Sequence, residues 1–239
     1  MKKTTTHDSF ERLLHSQGLG SRKQCRLLIQ AERVAVNGKI VSDPTMQLAK
    51  ENLIFTVDDT EWIYREKLYL VMHKPEHFEC SHSPQCHESI FSLLPSPFII
   101  RGIQCVGRLD HDTTGLLLLT DDGAWLHALM SPRKHVSKTY RVTTKHPIIP
   151  EMLEQLMSGV ILHDAPHPIK AVACEYIEAH ALDLTIAEGK YHQVKRMVAA
   201  AGNRVEHLHR IKIADFALPE DVLKGEWREL TQAEKNSLA

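Results

Sequence analysis

The apolar pattern is sharpest at residues 116–119, where four consecutive leucines follow a charged turn. A short apolar run bounded by turn residues is typical of a strand that is buried on both faces. Asp110 precedes this strand and therefore lies at the edge of the predicted core. A carboxylate there must stay hydrated, gain a cationic partner or take up a proton, because isolated buried charge is unfavourable. Asp110 is thus a candidate reactive carboxylate, although aspartates are also common in ordinary turns.

The first forty residues predict two helices and a hairpin. Phe10, Leu13 and Leu14 have helical spacing, and Gly18 follows as a suitable end to that helix. A second helix is predicted from the capping-box sequence Ser21-Arg-Lys-Gln24. Apolar residues then flank Asn37-Gly38, a pair that suits the positive φ angles of a type I′ turn.

From about Trp62 onward, strand and helix patterns alternate without repeats. Helices are expected after Asp122, ending at Pro132, and between Gly189 and Gly202. Strands are expected at 68–72, 116–119, 138–144, 169–176, 181–187 and 205–213. This order predicts an α+β fold with a mixed, mainly antiparallel central sheet flanked by helices. We therefore predict a small N-terminal α/β domain at 1–62 and a larger domain at 63–239.

Charge is unevenly distributed, although the net charge is only -1. Residues 1–40 carry eight basic and three acidic side chains, whereas residues 41–66 carry two basic and six acidic ones. Basic residues also predominate at 131–145 and 188–212. Such clusters favour binding to a polyanion if they fold onto one face, and a solvated surface is the alternative. A short acidic linker that allows hinge motion is expected near residues 56–66.

Composition argues against a secreted, disulfide-linked protein and against a membrane-spanning one. The five cysteines are scattered and odd in number, which argues against a secreted disulfide framework. No apolar run approaches the ~20 residues of a membrane span, and no signal peptide is recognisable. We expect a cytoplasmic protein without a membrane partner.

The N-terminal motifs resemble an S4 RNA-binding domain. The resemblance rests on Phe10, Gln17-Gly-Leu-Gly-Ser-Arg-Lys23 and Val36-Asn-Gly-Lys-Ile-Val-Ser-Asp-Pro44. Such domains hold structured RNA with their second helix. The resemblance therefore implies RNA contacts by three exposed cations of that helix: Arg22, Lys23 and Arg26.

Three later motifs together resemble the pseudouridine synthases. They are Gly107-Arg-Leu-Asp-His-Asp-Thr-Thr-Gly115, Lys138-Thr-Tyr140 and Glu188-Gly-Lys-Tyr-His-Gln-Val-Lys-Arg-Met197. Asp121-Asp-Gly-Ala-Trp125 and Ser131-Pro-Arg133 further resemble the branch that modifies one uridine of 16S rRNA, the position-516 type. Enzymes of the large ribosomal subunit are the alternative. They typically have Asn-Arg-Gln-Val-Arg-Arg-Met where this chain has Tyr191-His-Gln-Val-Lys-Arg-Met197.

The resemblance implies a role for each catalytic candidate. Asp110 is the carboxylate that attacks the sugar or removes a sugar proton, and the sequence leaves both routes open. Lys195 is the cation paired with Asp110, and Tyr140 stacks on the target base. Packing on the sheet remains an alternative for Tyr140, and Asp112 is expected to order its turn.

RNA contacts are also implied outside the S4-like domain. Arg108 is expected to help hold the target nucleotide out of its stack. The other implied contacts are Arg133, Lys190 and Arg196. The expected partner is 16S rRNA or a small-subunit assembly intermediate, bound by a monomer.

A metal site is a rival interpretation of one segment. Histidine is abundant, with 16 residues, and His77, Cys80, His82, Cys86 and His87 lie close in sequence. The cysteine spacing does not match the usual zinc sites. The isomerisation needs no cofactor, so we expect neither metal nor cofactor. A non-catalytic RNA-binding assembly factor is a further alternative.

Overall fold

The computed structural model describes residues 7–131 and 134–238, which form two compact units. The first unit runs to Leu68 and also contains Leu94–Ile103. The second contains Tyr69–Leu93 and the chain from Gln104 onward. The observed division therefore differs from the predicted division at residue 62. Within the first unit, Arg101 donates hydrogen bonds to Gln17 Oε1 and to the carbonyls of Arg65 and Glu66, which accounts for the return of the chain to that unit.

The first unit contains short helices and two small sheets. Its elements are β1 (His7–Ser9), α1 (Phe10–Ser16), α2 (Arg22–Gln30), β2 (Val34–Val36), β3 (Lys39–Ile40), β4 (Gln47–Ala49), β5 (Ile54–Val57), β6 (Thr60–Ile63) and α3 (Ser96–Ile100). Strands β3, β2, β5 and β6 form one antiparallel sheet, and β1 pairs with β4. Phe10 and Phe55 meet edge to face in the core.

The local signals at the N-terminus are confirmed. Ser21 and Gln24 form the predicted capping box of α2. Asn37 and Gly38 both have positive φ, at 50° and 74°, between β2 and β3. The predicted acidic linker near 56–66 is wrong, because most of this segment is the β5–β6 hairpin. Its acidic residues lie on exposed turn and strand positions, so the charge pattern reflects a solvated hairpin.

The second unit is built on a nine-stranded sheet. Its elements are β7 (Tyr69–Lys74), β8 (Phe78–Glu79), β9 (Glu88–Ser89), a 3₁₀ helix (Ile90–Leu93), β10 (Gln104–Cys105), β11 (Thr113–Thr120), α4 (Gly123–Met130), β12 (Lys138–Thr144), α5 (Pro150–Ser158), β13 (Ala173–Glu178), β14 (Ala181–Ile186), α6 (Gln193–Ala200), β15 (Val205–Ile213), β16 (Phe216–Ala217), β17 (Trp227–Glu229) and α7 (Gln232–Ser237).

The main path of the sheet is β13-β14-β12-β15-β11-β7-β17, with β10 beside β11 and β16 beside β15. Its pairs are antiparallel except β11 with β15, which are parallel. The predicted mixed, mainly antiparallel α+β fold is confirmed. Every residue of β11 is buried, as the leucine run predicted.

Some element bounds differ from the sequence prediction. Strand β13 begins at Ala173 instead of residue 169, because Ile169 makes an isolated bridge with Val160. Helix α6 begins only at Gln193, because His192 has a left-handed backbone with φ of 48°. Within the described residues, none of the helices has the length and apolar character needed to cross a lipid bilayer.

Candidate active site

Asp110 lies in the turn between β10 and β11, and a buried lysine fixes this turn. Lys74, at the end of β7, is completely buried. Its ammonium group donates to the carbonyls of Pro75, His111 and Thr113 at 2.9, 3.3 and 3.0 Å. Burial lowers the pKa of Lys74, and the nearby carboxylates oppose this shift. Lys74 therefore ties the strand next to β11 to the backbone on the C-terminal side of Asp110.

The Asp110 carboxylate faces two side chains from the start of α6. His192 Nε2 lies 3.3 Å from Oδ1, and Lys195 Nζ lies 3.4 Å from Oδ2. The left-handed conformation of His192 brings its ring to the carboxylate just before the helix begins. The two carboxylate oxygens thus each have a nitrogen neighbour from the third sequence motif.

Lys195 makes shorter contacts with Asp112 than with Asp110. Its ammonium group donates to both oxygens of Asp112, at 2.6 and 2.8 Å. Burial raises the pKa of Asp112, but the hydrogen bond and positive charge of Lys195 outweigh it and leave the pKa below its usual value. The family resemblance implied that Lys195 pairs with Asp110, and Asp112 was expected to order the turn. In the structure, the Lys195 ammonium group contacts both carboxylates.

Asp110 borders a cavity of about 940 Å³ in the second unit. Tyr140 lines the same cavity and is only 8% exposed. Other lining residues include Arg108, Lys138, Lys190, Tyr191, His192 and Arg210. A flat ring, a carboxylate and several cations thus surround a space of a size suited to an extruded nucleotide.

Arg210 is the largest fully buried side chain of the described chain, with 1% exposure. It lies on β15 directly opposite Tyr140 of β12. Its Nε donates to the carbonyl of Leu116 at 2.8 Å. Gly115 allows β11 to approach Arg210, because its φ is +105° and an added Cβ atom would lie 2.3 Å from the Arg210 carbonyl oxygen.

The predicted RNA contacts fall into different environments. Arg22 and Lys23 are exposed on α2, whereas Arg26 makes a bidentate ion pair with Glu11. Arg108 and Lys190 are exposed at the cavity, and Lys190 also pairs with Glu188. Arg196 pairs with Asp164 and donates to the Tyr191 carbonyl. Arg133 lies outside the described residues.

The histidine-rich and cysteine-rich segment is organised by Glu79. The Glu79 carboxylate accepts backbone N–H groups from Gln85, Cys86 and His87, which lower its pKa. The His87 ring stacks on His111 at 4.3 Å. In the part of the chain that the structure describes, no group of three His, Cys, Asp or Glu side chains is arranged to hold a metal ion.

Three residues of this region were not singled out as site residues from the sequence: Lys74, His192 and Arg210. Arg210 carries a weak signal, since it is a charged residue within the predicted strand 205–213, whereas Lys74 lies two residues beyond the predicted strand 68–72. Long-range contacts were needed to identify their partners. His192 was visible only as part of a motif.

A family model for the RNA pseudouridylate synthases matches residues 68–200, and one for the S4 domain matches residues 11–54. Relatives named ribosomal small subunit pseudouridine synthase A occur in Haemophilus influenzae and Escherichia coli. The first is 38% identical, covering 91% of this chain and 94% of the relative. The second is 39% identical, with coverages of 86% and 89%.

A solved structure described as a pseudouridylate synthase superposes with a TM-score of 0.69 at 36% identity, covering 97% of this chain and 99% of that one. The family model, the two relatives and the superposed structure are all described as pseudouridine synthases. This chain belongs to the RNA pseudouridylate synthase family and carries an N-terminal S4 domain.

Proposed function

We propose that this enzyme isomerises one uridine of 16S rRNA to pseudouridine, with Asp110 as the catalytic carboxylate. One observation carries the proposal: the Asp110 carboxylate borders the cavity lined by Tyr140 and has His192 and Lys195 within 3.4 Å. The small-subunit names of the relatives support 16S rRNA as the substrate.

The reaction breaks the bond between N1 of uracil and C1′ of the ribose, turns the base and forms a bond from C5 to C1′. Asp110 attacks C1′ or removes a sugar proton while the base leaves. Both routes require an ionised carboxylate. The Lys195 ammonium group lies 3.4 Å from the Asp110 carboxylate and balances its charge at the cavity.

The geometry also supports roles for Tyr140 and Arg108. Tyr140 offers a ring face against which uracil stacks while it turns. Arg108 is exposed at the cavity and is suited to contact the RNA strand from which the nucleotide is extruded. Extrusion costs a few kcal/mol, which contacts to the RNA backbone must offset.

Cations on the S4 domain, at the edge of the cavity and on α6 position the enzyme on its RNA. We assign Arg22 and Lys23 of the S4 domain, together with Lys190 and Arg196, to the phosphate backbone. We also assign Arg26 to the phosphate backbone. Its ion pair with Glu11 lies on the surface, so Arg26 can contact RNA while it remains paired. We expect the enzyme to act as a cytoplasmic monomer on naked 16S rRNA or an assembling small subunit.

Asp110→Asn tests the chemistry directly. The variant should bind a 16S transcript with unchanged affinity and form no pseudouridine. Asp59→Asn is the matched control, because Asp59 is exposed, lies in the β5–β6 turn with φ of 63°, and asparagine tolerates that conformation. Full conversion by Asp110→Asn would contradict the assignment of the carboxylate.

Mapping of pseudouridine in cells that lack the protein tests the substrate. A 16S mark should disappear and return when the gene for the wild-type chain is restored, but not with Asp110→Asn. Loss of a 23S mark instead would favour the large-subunit alternative. Restoration of ribosome assembly by Asp110→Asn, without any missing mark, would favour a non-catalytic assembly factor.

A further inference from the structure

Arg210 lies in the core of the second unit and has no acidic partner among the residues that the structure describes. Its guanidinium Nη2 is buried and has no hydrogen-bond partner among the described residues, while Nε is used by Leu116. Arginine stays charged in proteins and offers five N–H donors. A buried cation with an unused donor is costly unless a ligand completes its environment.

Arg210 is positioned to contact a ligand in the cavity. Arg210 lines it, as does Tyr140, its direct neighbour on the adjacent antiparallel strand. Residues that are directly opposite in such a pair lie on the same face of the sheet. A base stacked on Tyr140 would therefore lie within the reach of the Arg210 side chain.

A second cation strengthens the positive potential at this position. Lys138 lies two residues before Tyr140 on β12, lines the cavity, and donates to the Val136 carbonyl at 2.7 Å. Burial and the charge of Arg210 both lower the pKa of Lys138. Two neighbouring cations that have no ion pair among the described residues favour an anionic ligand.

The reaction itself creates such an anion, given the function proposed above. When the N1–C1′ bond breaks, its electron pair leaves with the base in either route. The freed uracil then carries one negative charge, which is shared by N1, O2 and O4. C5 then uses an electron pair of this anion to bond C1′. In the nucleophilic route the bond between Asp110 and C1′ breaks at the same time, and in the other route the sugar proton taken by Asp110 returns to the sugar. The proton on C5 is exchanged through water for a proton on N1, so the product is neutral. The charge on the base is therefore transient.

We propose that Arg210 is a further catalytic residue, which donates a hydrogen bond to a carbonyl oxygen of the target uracil and stabilises the negative charge on the departing base. Donors fixed where charge develops act more strongly in the transition state than in the ground state. Burial of Arg210 excludes water from this contact. The phosphates of the RNA have exposed partners instead, such as Arg108 and Lys190 at the edge of the cavity.

Arg210→Met and Arg210→Lys test this proposal in the full-length enzyme with an RNA that the wild type converts. Arg210→Met should lower the single-turnover rate at saturating RNA by roughly 10²–10³-fold. The dissociation constant and its salt dependence should stay within about twofold of the wild type. Arg210→Lys should recover part of the rate, because it keeps the charge but not the fork of donors.

A phosphate contact makes the opposite prediction. If Arg210 contacted a phosphate, Arg210→Met would bind RNA more weakly, and its single-turnover rate at saturating RNA would be unchanged. The slope of the logarithm of the binding constant against the logarithm of the salt concentration would fall in magnitude by about one. That result, or a wild-type rate in Arg210→Met, would overturn the proposal. Absence of conversion by the wild type on 16S RNA would instead refute the proposed substrate, so the two failures are distinguishable.

Arg228→Met controls for a loss of stability. Arg228 lies on β17 of the same sheet, pairs with Asp221 and Glu234, and does not line the cavity. Its loss should reduce thermal stability but leave the single-turnover rate of the folded enzyme unchanged. A similar rate loss in both variants would mean that Arg210 acts only through folding, and would contradict the proposal.

Discussion

The Lys195 ammonium group donates to both oxygens of Asp112, at 2.6 and 2.8 Å, and lies farther from the nearest oxygen of Asp110, at 3.4 Å. The turn before β11 supplies both carboxylates, and α6 supplies the cation. Asp112 therefore helps to hold the Lys195 ammonium group beside Asp110. This arrangement leaves Asp110 the less tightly paired of the two carboxylates.

Substitutions at this pair should have unequal effects. Lys195→Met should lower the single-turnover rate by roughly 10²–10³-fold, because it removes the positive charge that lies 3.4 Å from the Asp110 carboxylate and leaves that carboxylate without its lysine partner. Asp112→Asn should lower it by less than about tenfold, because Lys195 still reaches Asp110. Quench-flow assays of pseudouridine formation measure both rates. An equal loss in the two variants would mean that Asp112 participates directly.

Loss of Lys74 should affect stability and activity together. Lys74→Met removes one donor from each of three carbonyl groups, of which His111 still accepts from the backbone N–H of His77, and should reduce the free energy of unfolding by about 2–3 kcal/mol. The freed turn should also slow the reaction. Urea unfolding measures the first effect. Lys39→Met, at an exposed position, is the control and should stay within about 0.5 kcal/mol of the wild type.

Gly115 should tolerate no side chain. Gly115→Ala adds a Cβ atom 2.3 Å from the Arg210 carbonyl oxygen at a positive φ, so the variant should lose at least about 3 kcal/mol of stability or fail to accumulate. Gly123→Ala is the matched control. An added Cβ there meets nothing within 4 Å at the first position of α4, so its melting temperature should not fall. A stable Gly115→Ala variant would show that β11 and β15 can separate.

The C-terminal helix should show a pH-dependent contribution to stability. Hydrogen bonds from Arg228 lower the pKa of Glu234 to about 2, from an ordinary value of 4.5. A carboxylate with a lowered folded-state pKa stabilises the fold fully above its unfolded pKa, and this contribution is lost as the pH falls from 4.5 toward 2. The partly exposed pair should contribute no more than about 1 kcal/mol.

Glu234→Gln isolates this charge, because glutamine can still complete the Thr231 capping box. Urea unfolding at pH 7 should give a lower free energy for the variant than for the wild type. The difference should shrink at pH 3. A difference that is independent of pH would mean that the ion pair adds nothing measurable.

Local sequence determined much of the fold. The Ser21 capping box, the Asn37-Gly38 turn and the N-terminal cap at Asp122 each depend on contacts within a few residues, so their signals are readable directly. The leucine run of β11 likewise specifies burial on both faces. The short strands β1 and β4 were not predicted, because they pair across about forty residues and neither carries a strong pattern.

The sequence by itself therefore determined the α+β class, the S4-like motifs, the pseudouridine synthase motifs and Asp110 as the candidate carboxylate. Only the tertiary structure decided which charges meet. Lys195 is shared between two aspartates, Lys74 binds three carbonyls, and Arg210 keeps an unused donor beside Tyr140. Apart from the contact of Lys74 with the adjacent Pro75, these relations join residues at least 37 positions apart. Electrostatic energies depend on distances and burial set by the packed sheet, which local propensities do not encode.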